Sequence, residues 1–247
     1  ISDTAPHACD GLMRPRLDRP YVRTGGKLHP ASWAEAFAAI AARVAATTPG
    51  KMAAIVGDLA AAEEIKALKD LFTALGSPHL DCRQDGAKIA VPSSGGKPPR
   101  ETYLFNTGIA GVESADAILL IGANPRIEAP VLNARIRKAW LAGPVQIANI
   151  GIATDLTYPV EQLGPGADVL EAIADGTHPF AKVLVNAKRP MLILGAGAIA
   201  RADGAAILRL AARIASDTGM IGPAGTVAEG GWNGFNILHM AASRVGA

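Results

Sequence analysis

Apolar positions along this chain follow two patterns: short continuous apolar runs alternate with segments in which the apolar residues recur every three or four positions. Trp33, Phe37, Ile40 and Val44 follow the second pattern and predict a helix. Ser32-Trp33-Ala34-Glu35 in front of them reads as a capping box, the serine accepting from the third amide and the glutamate reaching back. Pro49-Gly50 ends that helix. Met52 to Val56 is a short apolar strand, Ile65, Leu68, Phe72 and Leu75 mark one face of a second helix stopped by Gly76, and a brief strand surrounds Leu80. Ala115 to Ile121 is the clearest strand. A loop at Gly122 to Arg126, a helix from about Pro130 to Leu141 and a strand from Val145 to Ile150 follow, and that succession implies a right-handed parallel βαβ unit. A weaker segment at Ala167 to Ala174 precedes a helix near Pro179 to Ala187 and a strand at Pro190 to Leu194. Asp203 is placed to cap a helix carrying Ile207, Leu210 and Ile214, and Phe235, Leu238 and Val245 predict a final helix over Asn233 to Val245. The alternation defines an α/β fold with a mostly parallel sheet of Rossmann-like βαβ units. Residues 1–30, interrupted by Pro6, Pro15, Pro20 and Pro30, are expected to be an irregular entry segment, with residues 31–247 forming the α/β region as one body or two lobes. Residues 83–101, rich in Gly and Pro, are expected to form a long loop of the kind that is functional or mobile in compact domains.

Composition narrows the function classes. Hydrophobic residues make up 49% and charged residues 19% of the 247, which excludes a disordered chain and is enough for a sizeable core. A net charge of +2 and 4% aromatics supply neither the basic surface nor the stacking platform of a nucleic-acid binder. Cys9 and Cys82 stand alone without a CxxC, so a disulfide framework is not expected and a reduced compartment is the default. No apolar run is long enough to span a bilayer, and no signal peptide is evident. A start at Ile1 and a finish at Ala247 read as a piece of something longer.

The loop at Gly122 to Arg126 carries the most chemistry. A glycine leaving a buried parallel strand lets a ligand approach the backbone, Asn124 offers an amide, Pro125 is expected to hold the loop extended, and the carboxyl ends of parallel strands are where α/β proteins bind ligands. An ordinary βα turn uses the same residue types. On the helix beyond, Arg135, Arg137 and Lys138 lie opposite Leu132, Ile136, Ala139 and Trp140, forming either a solvated face or one that meets an anionic or protein partner. Gly195-Ala196-Gly197-Ala198-Ile199-Ala200 matches the GxGxxA spacing of dinucleotide loops, but no strand ending in an acid follows about twenty residues on, and it reads as a structural turn. His7, Cys9 and Asp10 are too few donors for a metal centre. Ser93-Ser94-Gly95-Gly96-Lys97 lacks the first glycine of a phosphate-binding P-loop, and Pro98 stands where that loop has Ser or Thr. No nucleophile–base set and no paired carboxylates can be assigned, so no catalytic residue is expected.

Longer strings carry a family resemblance. Leu17-Asp18-Arg19-Pro20-Tyr21-Val22-Arg23, Gly26-Lys27-Leu28, Ser32 to Phe37 and Asn106 to Asp116 running on to Gly122-Ala123-Asn124-Pro125 resemble the molybdopterin oxidoreductases. More narrowly, Asn124 to Pro130, Asn133 to Lys138, Asp155-Leu156-Thr157-Tyr158, His178-Pro179-Phe180, Arg201 to Ile207 and Asn236 to His239 resemble one branch, the large iron–sulfur subunit of respiratory NADH:quinone oxidoreductase (complex I). The resemblance implies a molybdopterin-oxidoreductase-like fold, iron–sulfur clusters in a part of the subunit upstream of this chain, and a scaffold domain that no longer holds the pterin. It also implies other hydrophilic subunits of complex I as partners, with no nucleic acid and no direct membrane insertion. The location it implies is peripheral, on the cytoplasmic side of the bacterial inner membrane. On that reading Gly122, Asn124, Pro125 and Arg126 are a vestigial cofactor loop, no metal or cofactor is bound by this stretch, and Arg135, Arg137 and Lys138 face a partner. The alternatives are a fragment of a true molybdopterin-guanine-dinucleotide oxidoreductase and a dinucleotide dehydrogenase built on Gly195 and Gly197.

Overall fold

Tyr21–Thr24 (β1) and Lys27–Pro30 (β2) pair as an antiparallel hairpin in register Tyr21 to Pro30, within the stretch where the sequence predicts no regular element. Gly25 and Gly26, at φ +57° and +82°, form the two-residue turn that closes such hairpins without steric cost. The computed structural model describes residues 11, 13, 15–82, 86–89, 102–221, 231–241 and 245, and the chain divides into two units between Cys82 and Arg83.

In the first unit the helix Trp33–Ala45 (α1) starts as the sequence predicts. Ser32 Oγ accepts from the Glu35 amide at 3.3 Å and the Ser32 amide donates to Glu35 Oε2 at 2.7 Å. Ala54–Ile55 (β3) and Leu80–Asp81 (β4) form a two-stranded parallel pair across the helix Ala62–Ala74 (α2). Neither α1 nor α2 contains a buried residue.

The second unit is built on a five-stranded parallel sheet. A short helix, Gly108–Gly111 (α3), and a 3-10 turn at Val112–Ser114 lead into Ala117–Ile121 (β5). Pro125–Glu128 (α4) and Pro130–Ala142 (α5) connect β5 to Gln146–Ile150 (β6), which is followed by Glu161–Gly164 (β7). Ala167–Ala174 (α6) and Pro179–Asn186 (α7) carry the chain to Pro190–Gly195 (β8), and Ala196–Ala200 (α8) and Gly204–Asp217 (α9) precede Phe235–Leu238 (β9). The strand order is β7-β6-β5-β8-β9. All residues of β5 and β8 are buried, as both faces of a parallel sheet require. Alternate residues feed two cores. Leu119, Ile121, Leu192 and Leu194 pack with Leu170, Leu184, Ile207 and Ile214 of α6, α7 and α9. Ile118, Leu120, Met191 and Ile193 pack with Leu132 and Ile136 of α5 and with Val112 and Leu156.

The second unit departs from the sequence-based expectations at Phe235, Pro125 and Asp203. Phe235–Leu238 is a strand, not the start of a helix, because it completes the hydrogen bonds of β8, pairing Leu192 with Phe235 and Gly195 with Leu238. Its Phe, Ile and Leu read equally as a buried strand or a helix face. Pro125 does not hold its loop extended; it occupies the first position of α4, one turn of helix, where a proline loses no hydrogen bond. Asp203 stands at the N-cap of α9 but makes no side-chain cap, because its carboxylate is taken by Arg201 at 2.8 and 2.9 Å. Of the expected long loop only residues 86–89 are among those described: Ala87 is buried in the second unit's core and the Lys88 amide donates to Ile199 O at 2.9 Å. His7, Cys9, Asp10 and Ser93 to Lys97 lie outside the described residues. No helix among the described residues is long and apolar enough to cross a membrane.

Candidate functional site

The connection leaving β5 runs toward β6 while that leaving β8 runs toward β9 on the opposite side. Diverging connections open a crevice at the carboxyl ends of these strands. A cavity of about 680 Å³ lies there, lined by the ends of β5 and β6 and the starts of α6, α8 and α9. That volume lies within the usual range for small-molecule sites.

Backbone crowding shapes the mouth. Gly122 sits at φ +53°, and a Cβ there would lie 2.7 Å from the Ala198 Cβ. A Cβ on Gly195 would collide with the Gly122 carbonyl. The two strand-end loops therefore press directly on each other, and both glycines are required by that contact whether or not a ligand is present. This gives the GxGxxA match at Gly195 a structural cause. Gly197, exposed and lining the cavity, meets only the Gly122 carbonyl at 3.8 Å.

Polar chemistry in the cavity centres on Asn124 and Glu128. The backbone amide of Asn124 gives its hydrogen to Glu128 Oε1 at 3.1 Å. A carboxylate from the chain itself thus occupies the backbone donor at the start of α4. The remaining oxygens, Asn124 Oδ1 and Glu128 Oε2, are buried without a hydrogen-bond partner. Glu128 and Arg201 are the two charged lining residues, and Arg201 is already paired with Asp203. Asn149, 2% exposed, lines the floor and spends its amide hydrogens on Ile152 O and Gln162 Oε1, at 3.2 and 2.8 Å.

The remaining predicted residues are drawn together on the opposite face of the sheet. Arg126 leaves the cavity side and binds Asp155 at 2.6 Å. The Asp155 carboxyl is held below its ordinary value, mainly by the Thr157 amide and then by Arg126. Asn133, buried on α5, donates to Leu156 O at 3.1 Å and accepts from the Tyr158 hydroxyl at 2.8 Å; burial pushes that phenol's pKa up. Arg137 donates to Thr157 O at 3.2 Å. Thr157 itself has φ +72°, a strained angle for a β-branched residue, which these five contacts hold in place. Arg135 and Lys138 both bind Glu113, whose carboxyl is held below its usual range by Lys138 first and Arg135 second. The cationic face of α5 is therefore engaged within the domain, although the Lys138 side chain stays 65% exposed.

Glu128 and Asn149 were not singled out as site residues by sequence reasoning. A carboxylate four positions after the loop asparagine and a lone amide inside the apolar strand Gln146–Ile150 were the available signals. Neither spacing reveals that both open into one cavity. Among the described residues no group of three or more His, Cys, Asp or Glu side chains is arranged to hold a metal ion.

A parallel sheet with helices on both faces and a crevice at its switch point defines a Rossmann-like α/β domain, and residues 16–247 match the family model for molybdopterin oxidoreductase. The chain belongs to that family. Among curated proteins it is 43% identical over 246 residues to the G subunit of NADH-quinone oxidoreductase from Rickettsia conorii, covering 100% of this chain and 35% of the relative. The corresponding Rickettsia prowazekii protein is 41% identical over 246 residues, 34% of its length. The chain thus spans about a third of the curated relatives it matches.

The family name implies a pterin dinucleotide, and the cavity does not fit one. Its loop amide is taken by Glu128, its fully buried side-chain atoms without a partner are acceptors, and its one lining cation is paired with Asp203. A phosphate about 5 Å from the Glu128 carboxylate would meet roughly 3 kcal/mol of repulsion at the effective dielectric of a protein surface.

Proposed function

We propose that this chain is the molybdopterin-oxidoreductase-like domain of a large iron–sulfur subunit of NADH:quinone oxidoreductase. It acts as a scaffold that supports electron transfer from NADH to quinone without holding a redox centre itself. The parent complex is the catalyst; the domain alone has no activity. The observation that carries this reading is the Glu128 carboxylate bonded to the Asn124 loop amide, in a chain matched along its whole length by G subunits of NADH-quinone oxidoreductase from Rickettsia. Gly122, Asn124, Pro125 and Arg126 then persist for the turn, the contact with Ala198 and the tie to Asp155. The iron–sulfur clusters belong to another part of the same polypeptide. Other hydrophilic subunits of the complex are the partners, met in part by the exposed ends of Arg135, Arg137 and Lys138. The location is peripheral, on the cytoplasmic side of the bacterial inner membrane.

The test is elemental analysis of the intact purified oxidoreductase containing this chain, together with fluorescence of any pterin released on denaturation. The expected result is NADH–quinone activity with no molybdenum and no pterin at one per complex. Stoichiometric molybdenum with released pterin would replace this reading by a true molybdopterin enzyme. Lys138→Glu in the same complex is expected to leave the domain folded and lower its retention in the complex; unchanged assembly would remove this face from the interface.

A further inference from the structure

The cavity that disagrees with a dinucleotide has a definite chemistry of its own. Two buried oxygens, Asn124 Oδ1 and Glu128 Oε2, lack any donor. Buried acceptors of this kind cost free energy unless something supplies hydrogens to them, and a carboxylate is the costlier of the two. Two of the nearby donors are engaged elsewhere: Arg201 Nε and Nη2 on Asp203, and the Asn149 amide on Ile152 and Gln162. Arg201 is paired with Asp203 outside the lining, which leaves Glu128 as the charged lining residue without an ion-pair partner. Much of the remaining wall is aliphatic, including Ile121, Ile150, Leu170 and Ile207. A cation with an apolar body is complementary to Glu128 in such a space.

We propose that this cavity binds a cationic, hydrogen-bond-donating small molecule, a guanidinium or ammonium head on an aliphatic body, with Glu128 Oε2 and Asn124 Oδ1 as its acceptors. Glu128 has two roles in this arrangement. Oε1 closes the Asn124 amide and keeps phosphate out, while Oε2 receives the cation. The inference goes beyond the scaffold role and does not depend on it, since a scaffold domain can carry or lack this ligand.

Calorimetric titration of the intact protein tests it, with butylguanidinium, inorganic phosphate and GDP as probes. Butylguanidinium is expected to bind at one site per chain, with Kd at least tenfold below that of either anion. Glu128→Gln keeps an oxygen for the Asn124 amide and removes the charge, and is expected to weaken butylguanidinium at least tenfold. Asn124→Asp adds an acid at the second acceptor and is expected to tighten it. GDP binding as tightly as butylguanidinium, or a butylguanidinium Kd within twofold of wild type in Glu128→Gln, overturns the proposal. If Glu128→Gln fails to fold by circular dichroism, Asn124→Asp decides: unchanged or weaker cation binding overturns it equally. Absence of molybdenum in the whole complex would leave these outcomes untouched, so the two readings fail separately.

Discussion

Helices α1 and α9 are nearly equal in length, 13 and 14 residues, and both carry apolar side chains at helical spacing. Their surroundings are opposite. α9 buries six residues, including Ile207, Leu208 and Ile214, whereas α1 buries none, and its Trp33, Phe37 and Ile40 are 66%, 60% and 58% exposed. The difference follows from the sheets beneath them. In the first unit α1 neighbours the four-residue strand β1 of a two-stranded hairpin, too narrow to cover the apolar face of a helix. The second has a five-stranded sheet in which β5, β6, β8 and β9 are largely buried between helix layers. Amphipathic spacing therefore specifies a helix, and the width of the neighbouring sheet specifies how much that helix contributes by burial. α1 depends instead on local devices, its capping box and the Trp33–Phe37 ring contact at 5.6 Å.

That contrast can be broken by substitution. The largest effect is expected at Ile214→Ala, which empties a site 1% exposed beneath α9. Loss of a buried aliphatic side chain costs about 2–5 kcal/mol, read as a lower urea midpoint for the second unit. Next, Tyr158→Phe removes the hydroxyl bonded to Asn133 Oδ1 and leaves a buried acceptor unpaired, a loss of about 1–3 kcal/mol; the same urea titration measures it. Ser32→Ala deletes the cap of α1 and is expected to cost about 1 kcal/mol, seen as faster amide exchange confined to that helix. The smallest effect is Phe37→Ala, which gives up an exposed side chain and is expected to change stability by about 0.5 kcal/mol or less. A loss at Phe37 as large as that at Ile214 would mean that α1 is covered in the working protein.

The candidate site was only half legible. Gly122 and Asn124 could be placed at a strand end because β5 is a continuous apolar run closed by glycine. Glu128 could not, since its role depends on one helical turn folding its carboxylate back onto the Asn124 amide. The resemblance strings Asn124 to Lys138 and Asp155 to Tyr158 looked like separate motifs. They are one latch, joined by the bonds of Arg126, Asn133, Arg137 and Tyr158 around Thr157. The helix predicted over Asn233 to Val245 failed for the same reason, because the strand at Phe235–Leu238 exists through its partner β8.

By itself the sequence determined what nearest-neighbour chemistry controls: the α/β alternation, the capping box at Ser32, the buried strands β5 and β8, and membership of a family through its strings. Tertiary structure alone decided which glycines touch each other, which apolar faces are covered and which charges are already paired. A capping serine meets its partner three residues away. Glu113 and Arg135, or Gly122 and Ala198, meet only when the sheet brings distant segments together, and a one-dimensional pattern carries no record of that distance.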